Sequence, residues 1–306
     1  MKADLSVDLG RIKLRNPVLT ASGTFGYGDE YSELVDYSKL GGLITKAITL
    51  EPREGNPPPR IAETAGGMLN SIGLANCGVD AFIREKMPFL REVDTTVIVN
   101  VAGGTFSEYE EVAERLGRCE GIDGLELNVS CPNVKEGGMS FGTRPEPVFE
   151  VVRRVRGATD LPLIVKLTPN VTDIVAIAVA AQEAGADAVS LINTLVGMAV
   201  DVETRRPKLA SITGGLSGPA IRPVALAMVW KVASRLNIPV VGVGGIFSYR
   251  DALEFLIAGA TAVEVGTANF VNPTASVEIA EGISSYLEGR GYGSVREVIG
   301  SLEAGE

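Results

Sequence analysis

Histidine is absent from all 306 residues of this chain. It is the side chain that most often moves protons near neutral pH, so proton abstraction here must use cysteine, lysine, tyrosine, a carboxylate or water. The absence also excludes Ser-His-Asp triads, Cys-His nucleophile pairs and histidine-ligated metal sites.

Cysteine is scarce, and long apolar runs and basic clusters are missing. The three cysteines, Cys77, Cys119 and Cys131, show no CxxC spacing, so we interpret them as reduced thiols of a cytoplasmic protein without a metal site. The N-terminus lacks the apolar region of a signal peptide. The sequence also lacks a run of about 18 apolar residues, so no membrane span is predicted. The net charge of -10 disfavours binding to nucleic acid or to anionic membranes.

Short apolar strands alternate with segments of helical period along the chain, after a predicted β-hairpin around Gly10. The helical segments are 107–118, 145–156, 172–184, 220–236, 248–258 and 273–287. The strands are 17–22, 42–47, 96–101, 124–129, 163–167, 188–194, 240–244 and 262–266. Eight β/α units predict a TIM (β/α)8 barrel, and a doubly wound open sheet is the alternative.

Two segments, 51–77 and 196–218, are too long for simple connections. Each follows a predicted strand, so each is expected to lie over the C-terminal face of the barrel, where the active sites of such barrels form. The sequence has no composition shift of the kind that marks a linker. We therefore expect residues 1–306 to form a single catalytic domain.

Glycines follow the last two strands of the predicted barrel. Val241–Gly245 reads VGVGG, and Val263–Thr267 reads VEVGT, with Ser248 as a candidate helix cap. Backbone N–H groups at glycines approach an anion closely, and barrel phosphate sites commonly use these two loops. The pair predicts a phosphate site, although tight turns alone would also explain the glycines.

Lysines and asparagines stand at other strand ends. Lys46 ends one predicted strand and Lys166 lies inside another, where an unpaired charge would be costly. The structural alternative is a barrel-filling lysine paired with an acid such as Glu126. The asparagines are Asn70, Asn100, Asn128, Asn133 and Asn193, and as a group they suit a ligand with alternating N–H and C=O groups.

Cys131 lies in the segment LNVSCPNVKEGGMSFGT, directly after a strand and between Asn128 and Asn133. Pro132 turns the chain out of the strand at this point. A thiol beside hydrogen-bonding amides is a candidate base or nucleophile, and a nearby lysine would raise its thiolate fraction. An isolated cysteine is otherwise more often inert.

Taken together, these motifs resemble dihydroorotate dehydrogenases of class 1, most closely the catalytic subunits of class 1B. The matching segments cover most of the chain: NPVLTASGTFGYG from Asn16, TKAIT from Thr45, NSIGLAN from Asn70, LNVSCPNVKEGGMSFGT from Leu127, VKLTPN from Val165, INTLVGMAVDVETRRPKLA from Ile192, TGGLSGPAI from Thr213, VGVGGI from Val241 and VGTANF from Val265.

The resemblance implies an FMN-bound TIM barrel that oxidises dihydroorotate to orotate in pyrimidine biosynthesis. It gives Cys131 the role of the base, with Lys46 also at the catalytic centre. The residues implied to hold FMN are Ser22, Lys46, Asn100, Asn128, Lys166, Ile192, Gly218, Gly244, Gly245, Gly266 and Thr267. Those implied to hold the substrate are Lys46, Asn70, Ser71, Ile72, Gly73, Leu74, Asn128, Asn133, Asn193 and Thr194.

Class 1B also implies a partner. Its members pass electrons to NAD through a second subunit that carries FAD and a [2Fe-2S] cluster, and this chain has no cluster motif. The resemblance therefore implies a homodimer of this chain within a heterotetramer.

Three other functions are compatible with parts of the pattern. A flavin domain that reduces uracil, similar to dihydropyrimidine dehydrogenase, would share the thiol and the phosphate site. A flavin-free barrel acting on a phosphosugar would use Lys46 or Lys166 as a Schiff-base amine. A non-catalytic scaffold would need neither the thiol nor the lysines.

Overall fold

The computed structural model describes residues 3–130 and 141–303 of the chain. The strands are β1 (Val7–Leu9), β2 (Ile12–Leu14), β3 (Val18–Thr20), β4 (Gly42–Ile44), β5 (Ile61–Thr64), β6 (Gly67–Asn70), β7 (Thr96–Val101), β8 (Gly124–Asn128), β9 (Leu163–Leu167), β10 (Ala188–Leu191), β11 (Leu195–Met198), β12 (Val200–Asp201), β13 (Arg206–Pro207), β14 (Thr213–Ser217), β15 (Val240–Val243) and β16 (Ala262–Val265).

The helices are α1 (Val79–Glu85), α2 (Met87–Leu90), α3 (Phe106–Gly117), α4 (Pro145–Ala158), α5 (Ile174–Glu183), α6 (Arg222–Ala233), α7 (Tyr249–Ile257), α8 (Ala268–Val271) and α9 (Ala275–Arg290). Short 3-10 turns occur at Asp29–Tyr31, Tyr37–Lys39, Phe141–Thr143, Pro219–Ile221 and Val295–Glu297.

Eight parallel strands close into a barrel. Their order around it is β3, β4, β7, β8, β9, β10, β15 and β16, and β16 pairs back onto β3. These are the eight strands that the sequence predicts, so the barrel prediction is confirmed and the open doubly wound sheet is excluded. Their apolar composition follows from burial on both sides, because side chains alternate between the barrel interior and the surrounding helices.

The helices that follow these strands bury one face against the barrel. Helix α3 begins where the Thr105 side chain accepts a hydrogen bond from the Glu108 N–H, and its inner face includes Tyr109, Val112 and Leu116. All six helices that the sequence predicts are present, with ends shifted by a few residues. The short helices α1, α2 and α8 were not predicted.

The N-terminal hairpin closes the bottom of the barrel. Strands β1 and β2 pair antiparallel around Gly10, as predicted. A Cβ at Gly10 would lie 2.7 Å from the backbone oxygen of Asp187, just before β10, and a Cβ at Gly124 would lie 2.7 Å from Ile12. Both contacts lie at the amino ends of barrel strands, so the opposite end is left for the site.

The two long insertions form one sheet. Strands β5 and β6 come from the first and β11 and β14 from the second, and they pair antiparallel in the order β11-β14-β6-β5. Asn70 on β6 lies opposite Gly215 on β14, which joins the two insertions directly. The sequence predicts their location but not this shared sheet. None of the helices in the described ranges has the length and hydropathy that crossing a membrane requires.

Candidate active site

A cavity of about 1410 Å³ opens at the carboxyl ends of the barrel strands, beside the insertion sheet. Every predicted site residue in the described ranges lines it: Ser22, Lys46, Asn70, Ser71, Ile72, Gly73, Leu74, Asn100, Asn128, Lys166, Ile192, Asn193, Thr194, Gly218, Gly244, Gly245, Gly266 and Thr267. Residues separated by more than 200 positions in the chain are thus brought together by the closure of the barrel.

Cys131 and Asn133 lie outside the described residues. The residues that lead to them are Asn128, which ends β8, and Ser130, and both line the cavity. The Ser130 N–H donates to Asn128 Oδ1 at 3.2 Å, which turns the chain immediately after the strand. The role of Cys131 therefore stays a prediction.

The asparagine side chains meet from different strands. Asn193 Nδ2 donates to Asn128 Oδ1 at 3.3 Å, and Asn193 Oδ1 accepts from the Thr194 N–H at 2.8 Å. Asn70 Nδ2 donates to the Gly215 carbonyl at 3.3 Å across the insertion sheet. These contacts orient the amides, all of which line the cavity, and limit which of their atoms are available to a ligand.

The two lysines differ in their surroundings. Lys46 follows β4, lines the cavity and forms no ion pair with any residue in the ranges 3–130 and 141–303. Lys166 is 5% exposed, and its Nζ lies 3.4 Å from a carboxyl oxygen of Glu126 and 2.5 Å from Oε2 of Glu264. The predicted partner Glu126 is confirmed, and Glu264 is an addition that the sequence analysis missed.

A cluster of polar side chains surrounds Lys166 inside the barrel. Glu126 accepts hydrogen bonds from Asn100 Nδ2 at 2.5 Å and from Ser190 Oγ at 2.9 Å, besides its contacts with Lys166. Asn100, Glu126, Ser190 and Glu264 are each at most 1% exposed. They come from β7, β8, β10 and β16, so the cluster links strands on several sides of the barrel interior.

Burial and charge shift the pKa values of this cluster in different directions. Burial alone would raise the pKa of Glu126, but the Lys166 ammonium and hydrogen bonds to the carboxylate outweigh it, and the pKa lies below its usual value. Burial and then the Glu126 charge hold the pKa of Glu264 well above its usual value. Burial would lower the pKa of Lys166, but the two carboxyl groups raise it. Lys166 is therefore charged at neutral pH.

The glycine loops lie where the sequence predicts a phosphate site. Gly244 and Gly245 have φ values of 131° and 71°, which favour glycine over residues with a Cβ. Gly266 has no such φ, and the nearest atom to a Cβ built there is 3.4 Å away. The packing of the described residues therefore does not require glycine at 266.

The N-terminus of the helix after the first of these loops is already occupied by a carboxylate of the protein. Ser248 caps α7 as expected, but the Asp251 carboxylate accepts hydrogen bonds from the Phe247 and Ser248 N–H groups at 3.0 and 2.9 Å. Those donors are used within the protein, and the carboxylate offsets the positive end of the helix. An anion here must rely on the backbone of the glycine loops.

Buried polar atoms without partners indicate a polar ligand. Asn100 Oδ1, Thr64 Oγ1 and Ser130 Oγ are buried and have no hydrogen-bond partner within the described part of the chain. All three residues line the cavity. Because unpaired buried polar atoms are costly, a ligand that offers N–H and C=O groups would satisfy them. A flavin ring fits this donor and acceptor set.

Some residues of the site were missed by the sequence analysis. Asn170 donates to the Thr194 carbonyl and accepts from the Val196 N–H, both at 3.0 Å, so it fixes the start of the second insertion. Asn56 donates to Ser71 Oγ at 2.7 Å in the first insertion. Asn170 stands in the quoted motif VKLTPN, which was a usable signal, whereas Asn56 sits in a proline-rich loop with none.

Known proteins are similar to this chain over almost its whole length. A model described as dihydroorotate dehydrogenase matches residues 4–287. The chain is 61% identical over 302 residues to a protein of Geotalea daltonii named dihydroorotate dehydrogenase B (NAD(+)), catalytic subunit, with 99% of each chain covered. Proteins of the same name from Geobacter metallireducens and Trichlorobacter lovleyi are 59% and 60% identical, over 99% of this chain and 99% and 100% of theirs. The chain therefore belongs to the dihydroorotate dehydrogenase family.

Proposed function

We propose that this protein oxidises dihydroorotate to orotate in pyrimidine biosynthesis, with FMN as its bound cofactor. One observation carries the proposal: a single cavity gathers the strand-end amides, both lysines and the glycine loops. The family membership supports the same reaction. A phosphosugar enzyme would not need the convergent amides, and a scaffold would need none of these groups.

The polar side chains at the strand ends suit a pyrimidine ring. The N–H and C=O groups of the ring alternate around its edge. Both donors and acceptors for them are offered by Asn70, Asn128, Asn193 and Thr194. The substrate segment 70–74 and Asn133 complete this proposed set. We assign Lys46 as the positive partner of the anionic substrate, because it forms no ion pair with any described residue. A ligand that lacks the polar edge would leave these groups unpaired, which sets specificity.

FMN is assigned to the part of the cavity beside the glycine loops. The loops at Gly244–Gly245 and Gly266–Thr267 would hold its phosphate, and Ser22, Asn100, Lys166, Ile192 and Gly218 would hold the rest. When bound, FMN supplies an acceptor for the hydride that leaves C6 of dihydroorotate. The Lys166 ammonium would stabilise negative charge on that acceptor.

Cys131 is proposed to remove the proton from C5 of dihydroorotate. The chain has no histidine, and among the side chains of the motif the cysteine thiol has the reference pKa closest to neutral. A lysine ammonium in the cavity would raise the thiolate fraction. The amides orient the ring so that C5 faces the base.

The electron acceptor is proposed to be NAD, reached through a partner. The relatives are named as catalytic subunits of NAD(+)-linked enzymes, which supports a second subunit. We assign FAD and a [2Fe-2S] cluster to that subunit, and a homodimer of this chain to the centre of a heterotetramer. The cytoplasmic location and the single catalytic domain spanning residues 1–306 stay predictions.

A turnover assay tests the proposed reaction. The purified chain is expected to form orotate from dihydroorotate with an artificial electron acceptor, and to reduce NAD only with the electron-transfer subunit added. Orotate should compete with dihydroorotate, and uracil should compete weakly because it lacks the carboxylate. Tight binding of uracil with weak binding of orotate would favour the uracil-reducing alternative.

The Gly266→Ala variant tests the flavin site separately. The added methyl group is expected to weaken FMN binding about tenfold, because overpacking at a close contact typically costs 1–3 kcal/mol. Gly289→Ala in α9 is the matched control, since a Cβ there meets nothing within 4 Å. Titration of the apoprotein with FMN gives both dissociation constants, and equal affinities in the two variants would contradict the assignment.

A further inference from the structure

Glu264 is a buried carboxyl group to which the proposed reaction gives no role. It is 1% exposed, and its Oε2 accepts a hydrogen bond from Lys166 Nζ at 2.5 Å. Its other oxygen, Oε1, is buried and without a hydrogen-bond partner among the residues that the structure describes. A full negative charge on a carboxyl group with one oxygen left unsatisfied would be costly in this interior.

Glu126 is placed differently, although it faces the same lysine. Its Oε1 accepts from Asn100 Nδ2, its Oε2 accepts from Ser190 Oγ, and both oxygens lie 3.4 Å from Lys166 Nζ. Both oxygens are therefore satisfied. Of the two glutamates, only Glu126 has the hydrogen bonds that a buried charge needs.

We propose that Glu264 is a neutral carboxylic acid that positions Lys166, while the Glu126 carboxylate alone balances the charge of the lysine. The acid adds a second contact that fixes the ammonium group without adding a charge. The cluster is then uncharged as a whole. Two ionised glutamates would leave a net negative charge beside a cavity that, on the function proposed above, receives an anionic substrate and electrons.

Few charged or titratable groups among the described residues lie close enough to Glu264 to affect its protonation. Charged neighbours are Lys166 on β9 and Glu126 on β8. The adjacent strands β3 and β15 contain no titratable side chain. Helix α7 packs on the outer side of β16, and its acidic residues, Asp251 and Glu254, pair with Arg222. The remaining ionisable residues of α7 are Tyr249 and Arg250.

A neutral Glu264 couples folding to the uptake of a proton. Glu264 would be ionised in the unfolded chain at neutral pH and protonated in the folded protein, so folding takes up one proton from the solvent. Its raised pKa means that this stabilisation is complete below the usual glutamate value and is lost as pH rises through the folded value. Stability should therefore fall with rising pH relative to a variant that cannot titrate at this position.

Equilibrium unfolding of the wild type and of Glu264→Gln from pH 5 to pH 7 tests this. Glutamine keeps the acceptor oxygen for Lys166 and stays neutral. The ratio of the wild-type folding constant to that of the variant is expected to fall about tenfold for each pH unit in the window. A ratio that is independent of pH would overturn the proposal. Glu288→Gln on α9 is the control, because its carboxylate lies at the exposed surface.

Infrared spectroscopy of the wild type keeps the proposal testable if Glu264→Gln does not fold. A buried carboxylic acid at neutral pH gives a C=O band apart from the carboxylate bands. The band is expected in the wild type and should be lost in Glu126→Gln, because Glu264 must then ionise to balance Lys166. Absence of the band in the wild type would overturn the proposal. Both measurements work without flavin, whereas a protein that binds no FMN would count against the proposed function alone.

Discussion

Replacing Cys131 with alanine is expected to lower kcat for dihydroorotate oxidation by roughly 10²–10⁴-fold, which is the usual contribution of a positioned base. FMN should stay bound, because none of the residues assigned to the cofactor is changed. Alanine cannot accept the C5 proton, and the chain has no histidine to replace the thiol. Turnover with an artificial acceptor and the flavin absorbance measure the two effects separately.

Cys119→Ala is the matched control for this variant. Cys119 follows α3, and its Sγ lies 3.4 Å from the Arg115 carbonyl, in the helical layer outside the barrel. The control should retain wild-type turnover. A Cys131→Ala protein that kept near-normal rates with intact flavin would reject the thiol as base and would shift attention to the lysines or to water.

Replacing Lys166 with methionine is expected to destabilise the folded protein by roughly 3–5 kcal/mol, because the Glu126 carboxylate would stay buried without a counter-charge. Methionine preserves much of the length and volume of the side chain, so the loss of charge dominates. Turnover should fall as well, since the cation assigned to the flavin is removed. Denaturant unfolding and steady-state kinetics measure these losses.

Lys231→Met provides the comparison for stability. Lys231 lies on the exposed side of α6, where an isolated charge usually contributes little. Its free energy of unfolding should stay within about 0.5 kcal/mol of the wild type. Equal stabilities for the Lys166 and Lys231 variants would show that the buried cluster does not need the lysine.

The barrel was predictable because its signals are local. Strands such as β9, with the sequence LIVKL, are buried along their whole length, and a run of apolar residues is what that environment requires. The residues at strand ends were predicted as a group, because parallel strands direct all their carboxyl ends to one face. Even so, strands 17–22, 42–47 and 188–194 were predicted too long. Four site residues follow the strands instead of pairing in them: Ser22, Lys46, Asn193 and Thr194.

The insertion sheet could not be predicted in the same way. Its central pair, β6 and β14, joins segments about 145 positions apart, as the Asn70–Gly215 contact shows. Strand β14, with the sequence TGGLS, is rich in glycine and has little of the alternation that marks a strand. Pairing across that distance depends on the barrel bringing the two insertions together.

Glu264 was missed for a related reason. In the sequence it appears as one acid in VEVGT, between apolar residues, and nothing nearby marks it as a partner of Lys166. The contact exists because β9 and β16 face each other across the barrel interior. A pairing made across a closed barrel leaves no spacing signal in the chain.

The most direct test of the proposed reaction is the absorbance spectrum of the purified protein, recorded without oxygen before and after dihydroorotate is added. The proposal predicts a yellow protein whose flavin band bleaches as orotate forms, and a much slower bleaching in Cys131→Ala. A colourless protein that takes up no FMN, or a yellow one whose band dihydroorotate leaves unchanged, would contradict it.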